Sequence, residues 1–134
     1  MLGRTGYGAL LIIAGLLASA APALADPRDI SVGGIFITRI TADSSGYTSY
    51  QRAVEVNKRI TEILSTPSFR SGGAVAVRQD GQSATITVGN ILAFTVTPQD
   101  TAGTTVTTMQ LAHQWAQLLA EGLSKALPDS TFHF

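Results

Sequence analysis

Residues 30–42 read ISVGGIFITRITA and residues 86–98 read ITVGNILAFTVTP, which is nearly the same phrase written twice. The copies align at an offset of 56, with Ile30 opposite Ile86. In each copy two conformationally permissive residues, GG or GN, stand between β-forming residues. That arrangement is typical of a two-residue hairpin loop, so each phrase predicts a β-hairpin.

A helix is predicted after each phrase, over about residues 48–66 and 106–127. Both begin with a capping box, in which a hydroxyl and an amide three residues later satisfy the free backbone donors of a helix start. Beyond each box the apolar residues recur with helical period, and a proline follows each helix. The capping residues are Thr48 with Gln51, and Thr107 with Gln110.

A third turn signal, Asp80-Gly81, lies between AVAVR and SATITV and extends the second hairpin into a three-stranded meander. The strands are predicted over roughly residues 74–79, 83–88 and 91–97. Alternation assigns one face to the core and the other to threonine. The predicted core residues are Val75, Val77, Ala84, Ile86, Val88, Leu92, Phe94 and Val96; the threonines are Thr85, Thr87, Thr95 and Thr97.

The order hairpin, helix, meander, helix predicts an α+β fold. A two-layer sandwich fits best, with a mostly antiparallel sheet and two helices on one face. The repeat of two β-then-α units indicates an internal duplication. Chance is the alternative, because turn and cap chemistry is common to many folds.

The first 25 residues follow the order of a secretory signal peptide. Arg4 precedes a charge-free apolar run of 13 residues, and Ala23 and Ala25 occupy the small-residue positions of a cleavage site. We therefore expect a signal peptide over 1–25 and a single α+β domain over 26–134, periplasmic or secreted, without membrane insertion after cleavage. An uncleaved anchor is the alternative.

The mature chain of 109 residues carries 8 Lys/Arg (the full nine less Arg4) and 9 Asp/Glu, for a net charge of −1. This near-neutral charge argues against a nucleic-acid partner. The chain has no cysteine, which excludes disulfides and thiolate chemistry. The sequence predicts no catalytic, cofactor-binding or metal-binding residues. His113 and His133 are the only imidazoles; His113 has no acidic residue three or four positions away that would suggest a metal site, and His133 is interpreted as incidental.

Other candidate residues have structural or interaction roles. Asn57 lies beside the apolar face of the first helix, where we expect its amide to bond a loop backbone, with a binding role as the alternative. Trp115, the only tryptophan, is expected in the core, with a partner anchor as the alternative. A possible interaction surface is formed by the threonine face and the aromatic end of the chain. Its residues are Thr85, Thr87, Thr95, Thr97, Phe132 and Phe134.

The succession VGGIFITRI, QRAVEVNKRITEIL, ITVGNILAFTVTPQD and QLAHQWAQLL resembles a small extracytoplasmic domain. That domain precedes the membrane part of small-conductance mechanosensitive-type channels, especially in cyanobacteria, and is also found free-standing. The matching positions include Arg52, Asn57, Asp100 and Trp115. The resemblance implies a bacterial envelope location and a non-catalytic sensing or accessory role. It implies no ligand, and the channel helices have no counterpart in this sequence.

We therefore expect an exported interaction or sensing module that binds an envelope protein or itself. A carrier of a small apolar ligand, held between sheet and helices, is the first alternative. A small secreted hydrolase is the second, and it would require several of the scattered acids and His113 to share one cleft.

Overall fold

The computed structural model describes residues 26–69 and 72–126. The predicted signal peptide, His133 and the aromatic pair Phe132 and Phe134 lie outside them. The element order confirms the α+β prediction. The strands are β1 (Asp29–Val32), β2 (Ile35–Arg39), β3 (Val75–Asp80), β4 (Ser83–Val88) and β5 (Ile91–Val96). The helices are α1 (Ser49–Leu64), α2 (Pro98–Thr101) and α3 (Thr108–Lys125), with a 3-10 turn over Pro67–Phe69.

The strands form two antiparallel sheets, a β1–β2 hairpin and a β3–β4–β5 meander. Each hairpin turn contains a glycine in the left-handed region, where Gly33 has φ of 59° and Gly89 has φ of 62°. These are the positions that the repeated phrase placed opposite each other, so both predicted turns are confirmed.

Both hairpins also contain a β-bulge at the equivalent place. The register shifts after Ile30 in the first hairpin and after Ile86 in the second, which leaves Ile37 and Ala93 as the extra residues. Both extra residues are buried, and they too are separated by 56 positions. A bulge bends a strand and re-aims the side chains beyond it. This shared irregularity supports an internal duplication more strongly than the turn residues do.

The second bulge corrects the predicted sheet faces. Thr87 lies opposite Leu92, and Ile86 lies opposite Phe94, because Ala93 is looped out of the ladder. Leu92 therefore shares the threonine face and is half-buried, whereas the prediction placed it in the core. Strict alternation fails here because one inserted residue changes the parity of the strand.

The helices begin where the capping boxes predicted. In α1 the Thr48 hydroxyl accepts from the backbone N–H of Gln51, and the Gln51 amide oxygen accepts from the Thr48 N–H. Thr107 and Gln110 repeat this exchange at the start of α3. The helices are shorter by a few residues than predicted.

Helix α3 holds the two sheets together by packing against strands of both, while α1 contacts β5 and β1. Each helix thus packs partly on the hairpin of the other half. The core between them includes Trp115, whose ring lies 5.2 Å from that of Phe94. Trp115 is 5% exposed, as expected for a core residue.

Gly122 lets α3 approach the first hairpin closely. A methyl group at this position would lie 2.5 Å from the carbonyl oxygen of Val32 and 3.0 Å from its Cβ. The first distance is too short for a Cβ, and the second is unusually tight. Because the first atom is backbone, α3 would have to move away from β1. Glycine makes the helix less stable than alanine would by about 1 kcal/mol. The close packing of α3 against β1 is obtained at that cost.

We predict that Gly122→Ala destabilises the domain even though alanine favours helix formation. Overpacking of this kind costs typically about 1–3 kcal/mol, which outweighs the gain in helix propensity. The measurement is the free energy of unfolding from urea titration. His113→Ala, at an exposed position of the same helix, is the control and should change it by less than about 0.5 kcal/mol. Equal or greater stability of Gly122→Ala would show that β1 and α3 do not need this contact.

Candidate functional site

An ion pair between Arg52 and Asp100 joins the two halves of the chain. The guanidinium binds the carboxylate through two parallel hydrogen bonds, Nη1 to Oδ1 at 2.9 Å and Nη2 to Oδ2 at 2.8 Å. The side chains are only 12% and 5% exposed. Bidentate arginine–carboxylate pairs are strong and geometrically specific, and burial limits their screening by salt.

The pair makes further hydrogen bonds to neighbouring backbone groups and to one hydroxyl. Arg52 donates to the carbonyl oxygens of Ala42, 2.6 Å away, and Thr95, 3.2 Å away. Asp100 accepts from the backbone N–H and the hydroxyl of Thr97. The cluster therefore connects the loop before α1, the first turns of α1, the end of β5 and the start of α2.

Arg52 also occupies part of the free edge of the meander. Strand β5 is the last in its sheet, so some of its backbone groups lack a neighbouring strand. The guanidinium satisfies the carbonyl of Thr95. Unpaired edges invite pairing with other chains, and covering them is a common protection. At Thr95, an added strand would first have to displace Arg52.

A tight turn before α1 holds an aromatic side chain at the surface. Ser44 and Tyr47 exchange two backbone hydrogen bonds of 2.9 Å. Between them Ser45 has φ of 56° and Gly46 has φ of 84°, the pattern of a type I′ turn. Among the described residues, Ser45 is the one non-glycine residue with positive φ. A non-glycine residue at positive φ has a strained backbone. Such a conformation persists only where the surrounding structure holds it, and it often marks a functional position.

An open cleft of about 630 Å³ runs between α1 and the edge strand β5. Its walls include three side chains that are unusually exposed for their apolar character: Tyr47 at 60%, Tyr50 at 53% and Val54 at 45%. Leu92 and Thr95 line the opposite wall. Tyr50 and Val54 are four residues apart on α1 and so lie on one side of the helix.

The charged groups in this cleft are already paired. Arg52 is bound by Asp100. The Nε of Arg59 lies 3.2 Å from the carboxylate of Glu55, which is one turn earlier in α1. The cleft therefore offers aromatic and aliphatic surface, two phenol hydroxyls and no unpaired charge on these two arginines. A surface with this composition suits an uncharged, apolar occupant.

The threonines of the predicted interaction surface are less accessible than expected. Thr85 is buried in the middle strand, and its hydroxyl lies 3.4 Å from the carbonyl of Arg78. Thr97 is also buried, because it caps α2 instead of continuing β5. Thr87 and Thr95 are half-buried, and of the four threonines Thr95 and Thr97 line the cleft.

The other residues singled out from the sequence lie away from this cleft. His113 is exposed on α3. Asn57 is half-buried, and its backbone carbonyl accepts a hydrogen bond from the Thr61 hydroxyl. Within the described residues its side-chain amide makes none of the predicted loop contacts. Asp80, Asp100, Glu121 and His113 do not come together in the cleft; of these, Asp100 alone lies near it, held by Arg52.

Sequence reasoning did not find Tyr47, Tyr50 and Val54. A signal was present, because Tyr50 and Val54 form an i,i+4 apolar pair away from the predicted core face of the helix. The pairing of Arg52 with Asp100 was also missed. No local pattern links residues 48 positions apart, although both were among the positions that carry the family resemblance.

A second charged cluster lies at the start of the described chain. Asp26 accepts hydrogen bonds from the backbone and side chain of Arg28. These bonds hold the pKa of Asp26 well below its ordinary value. Arg39 pairs with Asp29 across the β1–β2 hairpin, and this contact raises the pKa of Arg39.

Neither a metal centre nor a membrane span is found in the described ranges, 26–69 and 72–126. No group of three or more histidines and acids there could hold a metal ion. No helix in those ranges is both long enough and apolar enough to cross a bilayer.

These features define an α+β domain with an apolar surface cleft next to a buried inter-half ion pair. Residues 29–126 match the family described as Domain of unknown function (DUF8459), so the chain belongs to that family. The matched range begins and ends with the folded core. None of the curated proteins and none of the solved structures matches the chain.

We predict that Arg52→Met lowers the free energy of unfolding by about 3–5 kcal/mol, because it leaves the Asp100 carboxylate buried without its counter-charge. Arg59→Met is the matched control in the same helix. It removes a more exposed i,i+4 pair and should cost less than about 1 kcal/mol. Urea unfolding of both variants measures the difference, and similar losses for the two would contradict a special role for Arg52.

The depressed pKa of Asp26 predicts a pH-dependent contribution to stability. An unfolded aspartate titrates near pH 4, and the folded group titrates lower. The ionised group therefore stabilises the fold above about pH 4, and this contribution is lost as the pH falls below that value. We expect the difference between the urea midpoints of wild type and Asp26→Asn to be largest above about pH 4 and to shrink progressively as the pH falls below that value. A constant difference across this range would contradict the assignment.

Proposed function

We propose that the chain is an exported, non-catalytic binding module of the bacterial cell envelope that docks a partner in the cleft between α1 and β5. The observation that carries this proposal is the exposure of Tyr47, Tyr50 and Val54 on one open surface. Contiguous exposed apolar surface on a small domain is typical of an interaction site. Tyrosine is also among the residues enriched at the centres of protein interfaces.

The sequence supports the location and the class of protein. The order of charged, apolar and small residues over 1–25 is that of a secretory signal peptide. The resemblance to the extracytoplasmic domain of mechanosensitive-type channels favours a sensing or accessory role in the same compartment. In the cleft, Arg52 and Arg59 are held in ion pairs, which favours binding over acid–base chemistry.

A carrier of a small apolar ligand is the second candidate. The observation in its favour is the volume of the cleft, about 630 Å³, which lies within the range of small-molecule sites. Its half-open form suits a protein or peptide partner better, since ligand pockets bury most of the ligand's surface. Native mass spectrometry of the purified exported chain distinguishes the two, because a carrier would show an added mass that Val54→Asp removes.

We predict that a partner captured from the producing cell's envelope depends on the cleft. Tyr50→Ala with Val54→Ala should reduce its recovery at least fivefold relative to wild type. Phe36→Ala is the matched control, because Phe36 is as exposed as Tyr50 and does not line the cleft. Quantitative mass spectrometry after cross-linking and affinity capture gives the readout. Equal recovery with all three proteins, or no specific partner with any of them, would overturn the proposal.

A further inference from the structure

We propose that the occupant of the cleft is an extended, uncharged polypeptide segment of the partner, which adds as a short strand to the free edge of β5. This inference rests on the cleft being the binding surface of the proposed function. It adds the conformation and the chemistry of the group that binds there. Two observations carry it: the direction of the backbone groups along β5, and the side chains on the opposite wall.

Strand β5 has a neighbouring strand on one side only, and its backbone groups alternate between that side and the free edge. Val88 and Ile91 close the two-residue turn of the β4–β5 hairpin, so this pair exchanges hydrogen bonds. The next pair, Thr87 with Leu92, is then one without mutual hydrogen bonds. The N–H and C=O of Leu92 therefore point away from β4, to the free edge.

The backbone of Thr95 points in the same direction, towards α1. Arg52 of α1 donates to the Thr95 carbonyl oxygen at 3.2 Å, so this carbonyl faces the helix and not β4. In an antiparallel strand the N–H and C=O of one residue lie on the same side, so the Thr95 N–H also faces the helix. On that side, and within residues 26–69 and 72–126, nothing bonds this N–H or the two backbone groups of Leu92.

These backbone groups discriminate between possible occupants. A partner that covers Leu92 removes water from its N–H and C=O, and a buried polar group without a hydrogen bond costs free energy. A helix cannot supply the missing bonds, because its own backbone groups are already paired. An apolar small molecule has no such groups to offer. An extended segment supplies a donor and an acceptor in sequence, as in strand addition to a sheet edge.

The free edge is short, which limits the length of the segment. The bulge at Ala93 separates Leu92 from Thr95 and restricts continuous pairing. Along β5 the Thr95 N–H precedes the Thr95 carbonyl, so a segment that ends at this N–H leaves Arg52 in place. The stretch from Leu92 to Thr95 spans about 10 Å. A bounded edge of this length suits one segment of a partner and not a growing sheet of copies.

The wall formed by α1 favours uncharged side chains in the segment. Tyr50 and Val54 present aromatic and aliphatic surface there. Arg52 and Arg59 line the cleft as well, and both are held in ion pairs. A charged side chain in the cleft would lose water without gaining a free counter-charge from these arginines. Aromatic and β-branched residues, which also favour extended backbone, fit this surface.

Proline at position 95 tests the backbone contact directly. Thr95→Pro removes the N–H that faces the cleft, and it breaks no bond to β4, since proline is tolerated where the N–H of an edge strand faces outward. Thr95→Val is the matched control, because it keeps the N–H and a side chain of similar shape. Both variants are made in the full exported chain, and their thermal unfolding midpoints are compared with that of wild type.

The probe is a fluorescently labelled, capped hexapeptide of alternating threonine and valine, and its binding is followed by fluorescence anisotropy. We expect saturable binding to wild type. Thr95→Pro should bind about fivefold more weakly than Thr95→Val, which is the effect of one net hydrogen bond. Tyr50→Ala with Val54→Ala should also weaken binding. A peptide methylated on two adjacent central nitrogens, which blocks both of its edges, should lose binding to wild type.

Hydrogen exchange of the wild-type chain, measured by NMR, needs no substitution in β5. The amides of Leu92 and Thr95 should exchange at least fivefold more slowly when the unlabelled peptide is added to saturation. The amide of Phe94 is the internal control, because it faces Ile86 in the ladder and should exchange slowly in both states. This measurement decides the question if Thr95→Pro does not fold.

Three results would overturn the inference: no binding of the peptide to wild type, equal binding by folded Thr95→Pro and Thr95→Val, or unchanged exchange at Leu92 and Thr95. Self-association of the chain that is lost in Tyr50→Ala with Val54→Ala would overturn it as well, since the occupant would then be a second copy. Sedimentation equilibrium of both proteins measures this.

Recovery of the envelope partner separates this inference from the proposed function. Recovery that depends on Tyr50 and Val54 but is equal for Thr95→Pro and Thr95→Val would overturn the added strand and leave the binding function standing. Recovery that does not depend on Tyr50 and Val54 would overturn the proposed function itself. Lower recovery with Thr95→Pro than with Thr95→Val would support both.

Discussion

The buried pair of Arg52 and Asp100 is the interaction on which the arrangement of the two halves depends. Asp100 belongs to the second unit, and Arg52 belongs to the helix of the first. Further bonds of the pair go to backbone groups on both sides of the junction and to the Thr97 hydroxyl. Because two buried charges tolerate little displacement from each other, the pair sets the position of α1 relative to the end of β5.

The same pair shapes the cleft. With the first turns of α1 anchored at one end of β5, the rest of the helix runs along the strand edge and leaves an open channel beside it. The two arginines that line the cleft are held in ion pairs, so the exposed surface of the cleft is mainly aromatic and aliphatic. The strained turn at Ser45 then places Tyr47 at the rim.

The two halves differ where the proposed function lies. Their turns, bulges and capping boxes correspond closely, since these features build a stable hairpin and helix in either unit. By the offset of the helices, the counterpart of Arg52 is Leu111, and by that of the hairpins the counterpart of Asp100 is Ser44. The ion pair of Arg52 and Asp100 therefore has no equivalent at the corresponding positions of the other half.

The sequence by itself determined the α+β class, the hairpin turns and the helix starts, because each depends on residues within a few positions of one another. Glycine at a positive φ and a hydroxyl three residues before an amide act locally, whatever the rest of the chain does. Tertiary structure alone decided the bulge that turned Leu92 towards the threonine face, the burial of Thr85 and Thr97, and the meeting of Arg52 with Asp100. These outcomes depend on sheet register and on contacts between distant segments, which no local pattern specifies. The cleft belongs to this second group, since its two walls come from α1 and β5, which are far apart in the chain.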